Sequence, residues 1–508
     1  MRIHKPHYAL SCAVSCMLLS GPLAQAQARI SDQQHSVVTA TGLETKVAEL
    51  HQDLLTTREE LAQSREEIRQ LRIMLQRIEQ HLATSNQSEA TTDAQQSNDN
   101  AAHIRDLEEK QEILQSQMEQ HEQLKVASMS KYPVKITGLL LVNTAFNSGR
   151  VDNADVPELA LPRLPNQGSG AFTATLRQSI LGLEATGPSV WGAKSSANIY
   201  ADFFGGFPDA DFGVAAGLVR LRTGRIRLDW PHTSLVFGQE SPFFSPLSPT
   251  SLATLGQPAL AWAGNLWSWT PQIRAEHEFR VSGTSSFQVQ AGILDPIDSS
   301  RPAAQSFREP SPGEQSRQPG YASRVAWTRQ TREDRPLTLG LGGFLSPHRY
   351  SFNRRINAWT GTADFRIPFA HSFELSGEAY RGNAVGGLGG GQFASFVASG
   401  DLAQPSTTIV GLNSVGVWGQ LKYRASSRLE FNGAVGHDNP FASDLERFPT
   451  NVVNNPVFAR NQTSFMNFIF TPESSLLFSV EFRHIQSYLI SGRRSSAEQI
   501  NLAAGYSF

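Results

Sequence analysis

Cysteine is almost missing from this chain: two in 508 residues, Cys12 and Cys16, both inside the first 28. Those 28 residues read as an export signal. Arg2 and Lys5 precede a short apolar stretch from Ala9 to Ser20, and Ala24-Gln25-Ala26 and Ala26-Gln27-Ala28 offer small-x-small cleavage sites. Once the signal is removed, disulfide scaffolds, thiol nucleophiles and thiolate metal sites are excluded. Long apolar runs are missing as well. No window approaches ~20 such residues, which excludes a bundle of membrane helices. Nor is there a dominant charge, since a formal net charge of -2 gives no case for nucleic acid as a partner.

The small net charge hides two unlike halves. Residues 1–128 hold 12 basic and 18 acidic residues, whereas 129–508 hold 32 basic, only four of them lysine, and 28 acidic. In the first half, Leu43, Val47, Leu50, Leu54, Thr57, Leu61, Ser64, Ile68, Leu71, Leu75, Ile78 and Leu82 recur at alternating steps of four and three. That spacing predicts an α-helical coiled coil over 40–82. A helix of this length spans ~60 Å and cannot bury its own seam, so self-association is expected. Residues 83–100 carry no large apolar side chain and read as a solvated linker, and 101–128 restart a weaker seam.

From Tyr132 onward the period changes to two, and 131–508 read as one β-domain. Ile500, Leu502, Ala504, Tyr506 and Phe508 alternate with small or polar residues up to the last position. Leu476, Phe478, Val480 and Phe482 oppose Ser479, Glu481 and Arg483 in the same way. Segments of this kind repeat about sixteen times, one of them over 172–184, joined by links that alternate short and long, with 346–355 and 487–495 among the long ones. Such a pattern predicts an all-β transmembrane barrel of antiparallel strands, with short turns on one side and long loops on the other. An even strand count would leave the coiled-coil arm on the periplasmic side, beneath an outer membrane.

One segment breaks its own alternation. Val219 and Leu221 hold one parity while Ile226, Leu228 and Trp230 hold the other. A bulge at Gly224 would put both halves on the lipid face and turn Arg220, Arg222, Arg225 and Arg227 into the lumen. Arginine at mid-depth on the lipid face would cost about 2–4 kcal/mol.

Several short stretches resemble the DcaP-like porins: Tyr200-Ala201-Asp202-Phe203-Phe204-Gly205, Val219-Arg220-Leu221-Arg222, Phe237-Gly238-Gln239 and Pro271-Gln272-Ile273-Arg274. The resemblance implies homotrimeric outer-membrane channels, with a periplasmic coiled-coil arm, that pass small carboxylate-bearing solutes. It departs at 242–270, a third long segment rich in Pro, Ala and Trp and without charge. Pore-lining candidates are Arg220, Arg222, Arg225, Arg274, Arg324 and Arg483, with Glu276 and Glu278 as partial compensation. Guanidinium suits the task because its fork meets carboxylate bidentately and stays charged.

Other chemistry finds no support. His232, His277, His348, His371, His437 and His484 show no metal-ligand spacing, and Gly386–Gly391 lacks a phosphate loop's lysine. Ser234 beside His232 sits in a turn, so neither an enzyme nor a cofactor is expected. The expected partners are outer-membrane lipid, further copies of the chain, small anionic solutes and, through the arm, peptidoglycan. Two other readings remain open: a carbohydrate porin, and a barrel serving chiefly to anchor the arm to peptidoglycan or a periplasmic protein. The seam should hold three arms together, so crosslinking of the assembled protein should join the arms as trimers; arms that stay separate would refute it.

Overall fold

The computed structural model describes residues 132–508, except 167, 208–216, 300–307, 332–334, 450 and 453–454. The export signal, coiled coil, linker and second helical stretch lie outside the described residues.

Strand-forming residues run through almost the whole domain. In order the barrel strands are Val134–Ser148, Gly170–Thr175 resuming as Ile180–Val190, Ala193–Asp202, Arg220–Asp229, Thr233–Glu240, Thr270–Ser282, Ser285–Leu294 and Gly320–Arg329. There follow Leu337–Tyr350, Arg354–Phe369, Phe373–Asn383, Asn413–Arg424, Leu429–Pro440, Phe458–Phe470, Leu476–Leu489 and Arg494–Ser507. Each pairs antiparallel with its neighbours, and the first pairs with the last, from Leu139↔Ser507 to Ser148↔Glu498. With the split second strand counted once, this is a closed sixteen-stranded barrel. A small hairpin, Phe396–Ala398 with Ile409–Gly411, lies in the link after the eleventh strand.

The usual polarity of a folded protein is reversed. Leu140, Leu183, Ile273, Leu341, Val435 and Leu502 are exposed, each on the outer parity of its strand, whereas Asn143, Gln290, Glu378, Asn467 and Asn501 are buried on the inner parity. Lipid as the surrounding solvent makes this the favourable arrangement. Near the short turns, rings touch from strand to strand: Phe369–Phe373 at 5.5 Å, Phe373–Tyr423 at 4.7 Å, Tyr423–Phe431 at 6.2 Å and Phe431–Phe468 at 6.3 Å. This is an interfacial aromatic girdle.

Three sequence expectations need correction. The bulge in the fourth strand falls at Arg222, since Tyr200 pairs Thr223 and Ala201 pairs Leu221, and not at Gly224. Its effect is the one expected, with Leu221 and Ile226 both exposed. Two links read as long, 346–355 and 487–495, shrink to Ser351–Asn353 and 490–493 because the strands continue past their apolar stretches. The second strand is interrupted at 176–179, where Gln178 turns inward; its Nε2 donates to Asn143 Oδ1 (3.1 Å) and Ala253 O (2.9 Å).

That last bond points to what fills the lumen. The third long loop, 241–269, folds inside, and its uncharged sequence packs on inward side chains. Ala259, Leu260 and Ala263 form a cluster with Trp418, Ala434 and Phe465. Phe243, Phe244 and Leu266 join another with Phe344, Tyr380 and Leu388. Loop backbone is bound all round the wall: Leu247 N donates to Glu378 Oε1 (2.7 Å), Asn467 Nδ2 to Thr250 O (3.0 Å), and Asn143 Nδ2 to Leu252 O (2.9 Å). Gly416 and Gly436 let the loop lie flat, because a Cβ on Gly436 would stand 2.1 Å from Ala263 O. Replacing Gly436 by leucine should therefore displace the loop, costing about 1–3 kcal/mol of stability by overpacking. Urea unfolding in detergent should show the loss and single-channel records an altered conductance; a variant identical in both would mean the loop is not seated there.

Candidate functional site

The fourth strand sets the site. With the bulge at Arg222, Arg220, Arg222, Arg225 and Arg227 all reach inward partners. Arg220 grips Asp202 with Nε (3.1 Å) and Nη2 (2.7 Å), and Nη2 also donates to Gly256 O in the third loop (2.6 Å). Arg222 Nη1 donates to the same Asp202 (2.9 Å) and to Leu255 O (2.6 Å). Both guanidiniums lie over the Trp269 ring, at 4.6 and 4.5 Å. Among the described residues one carboxylate thus serves two guanidiniums, and this unit keeps a formal charge of +1. Loop carbonyls and the ring face accept part of that charge without neutralising it.

The other candidate arginines are balanced. Arg225 pairs with Glu240 (3.0 Å). Arg274 spans Glu240 and Glu276, at 2.7 Å to each, and Arg227 adds Asp229 (2.7 Å) and Glu276 (3.1 Å). Three cations and three carboxylates make this network neutral. Arg324 meets Asp364 bidentately (2.9 and 2.7 Å), and Arg483 meets Glu481 at 2.8 Å. The side chains of Arg274, Arg324 and Arg483 are 8%, 7% and 0% exposed, whereas Arg220 and Arg222, at 26% and 16%, are open to the lumen, as are the balanced Arg225 and Arg227. Buried pairs of this kind brace the wall. Glu278 stands near the short turns, 3.6 Å from Arg280, half-buried beside the largely exposed arginine.

Two participants escaped the sequence reading. Asp202 shares inward parity with Tyr200, a signal available in the alternation, but its double pairing needs the register of two strands. Trp269 closes a loop whose path no local pattern reveals. Among the described residues, no group of three or more His, Cys, Asp or Glu could hold a metal ion.

No protein-family model matches the chain. No curated protein matches it by sequence. Solved structures do: the outer membrane channel DcaP of Acinetobacter baumannii aligns with TM-score 0.56 and 16% identity over 75% of this chain and 99% of that one. An anion-selective porin from Comamonas acidovorans aligns with TM-score 0.46 and 11% identity over 74% of this chain and 100% of that one. The DcaP likeness extends to the barrel fold.

The first long loop also enters the lumen, where it leaves an unusual acid. Glu158 is buried, and among the described residues neither carboxylate oxygen has a hydrogen-bond partner, although its carbonyl accepts from Asn461 Nδ2 (2.9 Å). Burial raises its pKa well above the ordinary carboxylate value; Arg483 opposes the shift, and Asp152 and Glu481 add to it. The folded state therefore holds a proton that the unfolded chain releases above about pH 4.3. Stability from this group is present at low pH and falls as pH rises past that value, by up to about 1.4 kcal/mol per pH unit. Glu158→Gln should flatten the decline in denaturation midpoint between pH 5 and 8. Parallel declines in variant and parent would assign the pH dependence elsewhere.

Proposed function

We propose that the chain is an outer-membrane diffusion channel with a preference for small anions, carboxylates in particular. A single observation carries the preference: among the described residues, Asp202 is the one carboxylate that pairs with Arg220 and Arg222. Low-dielectric walls focus the field of lumen charges, so even one uncompensated cation raises the local concentration of anions and their passage rate. The third loop bears no charge of its own and presents no acid to oppose it. A carboxylate approaching Trp269 would meet guanidiniums already oriented by Asp202 and by the loop carbonyls, so little ordering is required. Weak, shared binding also permits release.

The apolar exterior, the aromatic girdle and the polar interior support placement in a lipid bilayer, and the long-loop asymmetry supports an outer membrane with short turns toward the periplasm. The seam at 40–82 supports a trimer whose arms associate on that periplasmic side. Trimer and arm rest on sequence alone.

Exchanging Arg220 and Arg222 together for glutamine changes the local charge from +1 to −1 by leaving Asp202 alone. The anion/cation permeability ratio from reversal potentials under a salt gradient should drop several-fold, on the order expected for focused lumen charges. Arg324→Gln combined with Asp364→Asn is the comparison, since it removes a neutral pair and leaves the lumen charge unchanged. If the double variant keeps the parental reversal potential, the selectivity assignment is wrong. If the purified chain forms no conductance at all, the channel reading fails.

A further inference from the structure

The outer face of the barrel nearly lacks acid. Among the strand residues of outward parity, Glu498 is the sole carboxylate, and it is engaged by Ser148 Oγ (2.5 Å) and His484 Nδ1 (3.6 Å). Outward arginines, in contrast, gather at the long-loop end. Arg349 and Arg355 stand directly opposite each other on the ninth and tenth strands. Arg460 and Arg494 flank Tyr488 from the fourteenth and sixteenth, and Arg460 lies 3.9 Å from its ring centroid. Like charges directly opposite across a ladder are destabilising. Neither Arg349 nor Arg355 has an ion-pair or side-chain hydrogen-bond partner among the described residues.

Their height narrows the choice of partner. Arg349 and Arg355 bracket the link Ser351–Asn353, and Arg494 follows the link 490–493, the two shortest links on that side. The strands there run on past their apolar stretches, and the guanidiniums sit just beyond exposed Leu345 and Trp359 of the apolar belt. A charge at that level faces the headgroup layer. An anion is needed, in reach of two planar forks and anchored to an apolar body.

We propose that Arg349 and Arg355, and in the same manner Arg460 and Arg494, seat the phosphate of a lipid in the leaflet on the long-loop side. This rests on the membrane placement given above. Phosphate accepts bidentate bonds from both forks and relieves their mutual repulsion, while the acyl chains cover Leu345 and Trp359.

The test is native mass spectrometry of the full chain in detergent, with a diphosphorylated glycolipid, its dephosphorylated counterpart and inorganic phosphate as probes. The parent should retain the phosphorylated lipid, and Arg349→Gln/Arg355→Gln should retain it about tenfold less, the loss of charge-assisted bonds. Arg355→Gln alone should fall between them. Arg329→Gln, an outward arginine at the opposite end, should match the parent. Equal retention by parent and double variant, or equal binding of the dephosphorylated lipid, overturns the proposal. Binding of inorganic phosphate as tight as the lipid would make this a free-ion site and overturns it too. Conductance of the same preparations is read separately, so a channel that fails to conduct would sink the transport reading without touching the lipid result.

Discussion

The ladder between the first and last strands is the contact on which everything else depends. Without Leu139↔Ser507 through Ser148↔Glu498, two strand edges would face lipid with unpaired N–H and C=O groups. Hydrocarbon offers those groups no partner, at several kcal/mol each, so closure is compulsory. Closure then divides the side chains by parity. One set must suit lipid and the other must suit whatever the cylinder encloses.

What it encloses is largely its own chain. The third loop satisfies inward polar groups such as Asn143, Glu378 and Asn467, and it covers inward Trp418 and Phe465, which would otherwise meet water. In exchange the wall supplies the loop's backbone with hydrogen bonds that the loop does not make within itself. Loop and wall therefore define the lumen jointly. The site at Arg220 and Arg222 shows this well, since each guanidinium divides its donors between Asp202 on the wall and a carbonyl of the loop.

Charge follows the same division. Arg274 and Arg324 are sunk against carboxylates of other strands and Arg483 against Glu481 of its own, with little field left over. Arg220 and Arg222 stay partly open because the bulge places two inward arginines where the facing strand offers one acid. A bulge is thus the source of the uncompensated charge. Its position at Arg222 and not at Gly224 matters for this reason: the extra residue is itself one of the two cations.

The sequence by itself determined the barrel. Period-two alternation from Tyr132 to Phe508 is local, because neighbouring residues in a strand face opposite solvents, and most strand limits follow from it to within a few residues. It also determined that Arg220, Arg222, Arg225 and Arg227 face inward, because lipid forbids the alternative. Links 346–355 and 487–495 were misjudged where strands rise past the membrane and alternation loses its apolar half. Only the tertiary structure decided which arginines are neutralised. Arg324 and Asp364 are forty residues apart, and Arg274 and Glu240 are separated by the whole third loop. Such pairings depend on strand register and on the path of a loop through the lumen, and neither leaves a periodic trace in the chain.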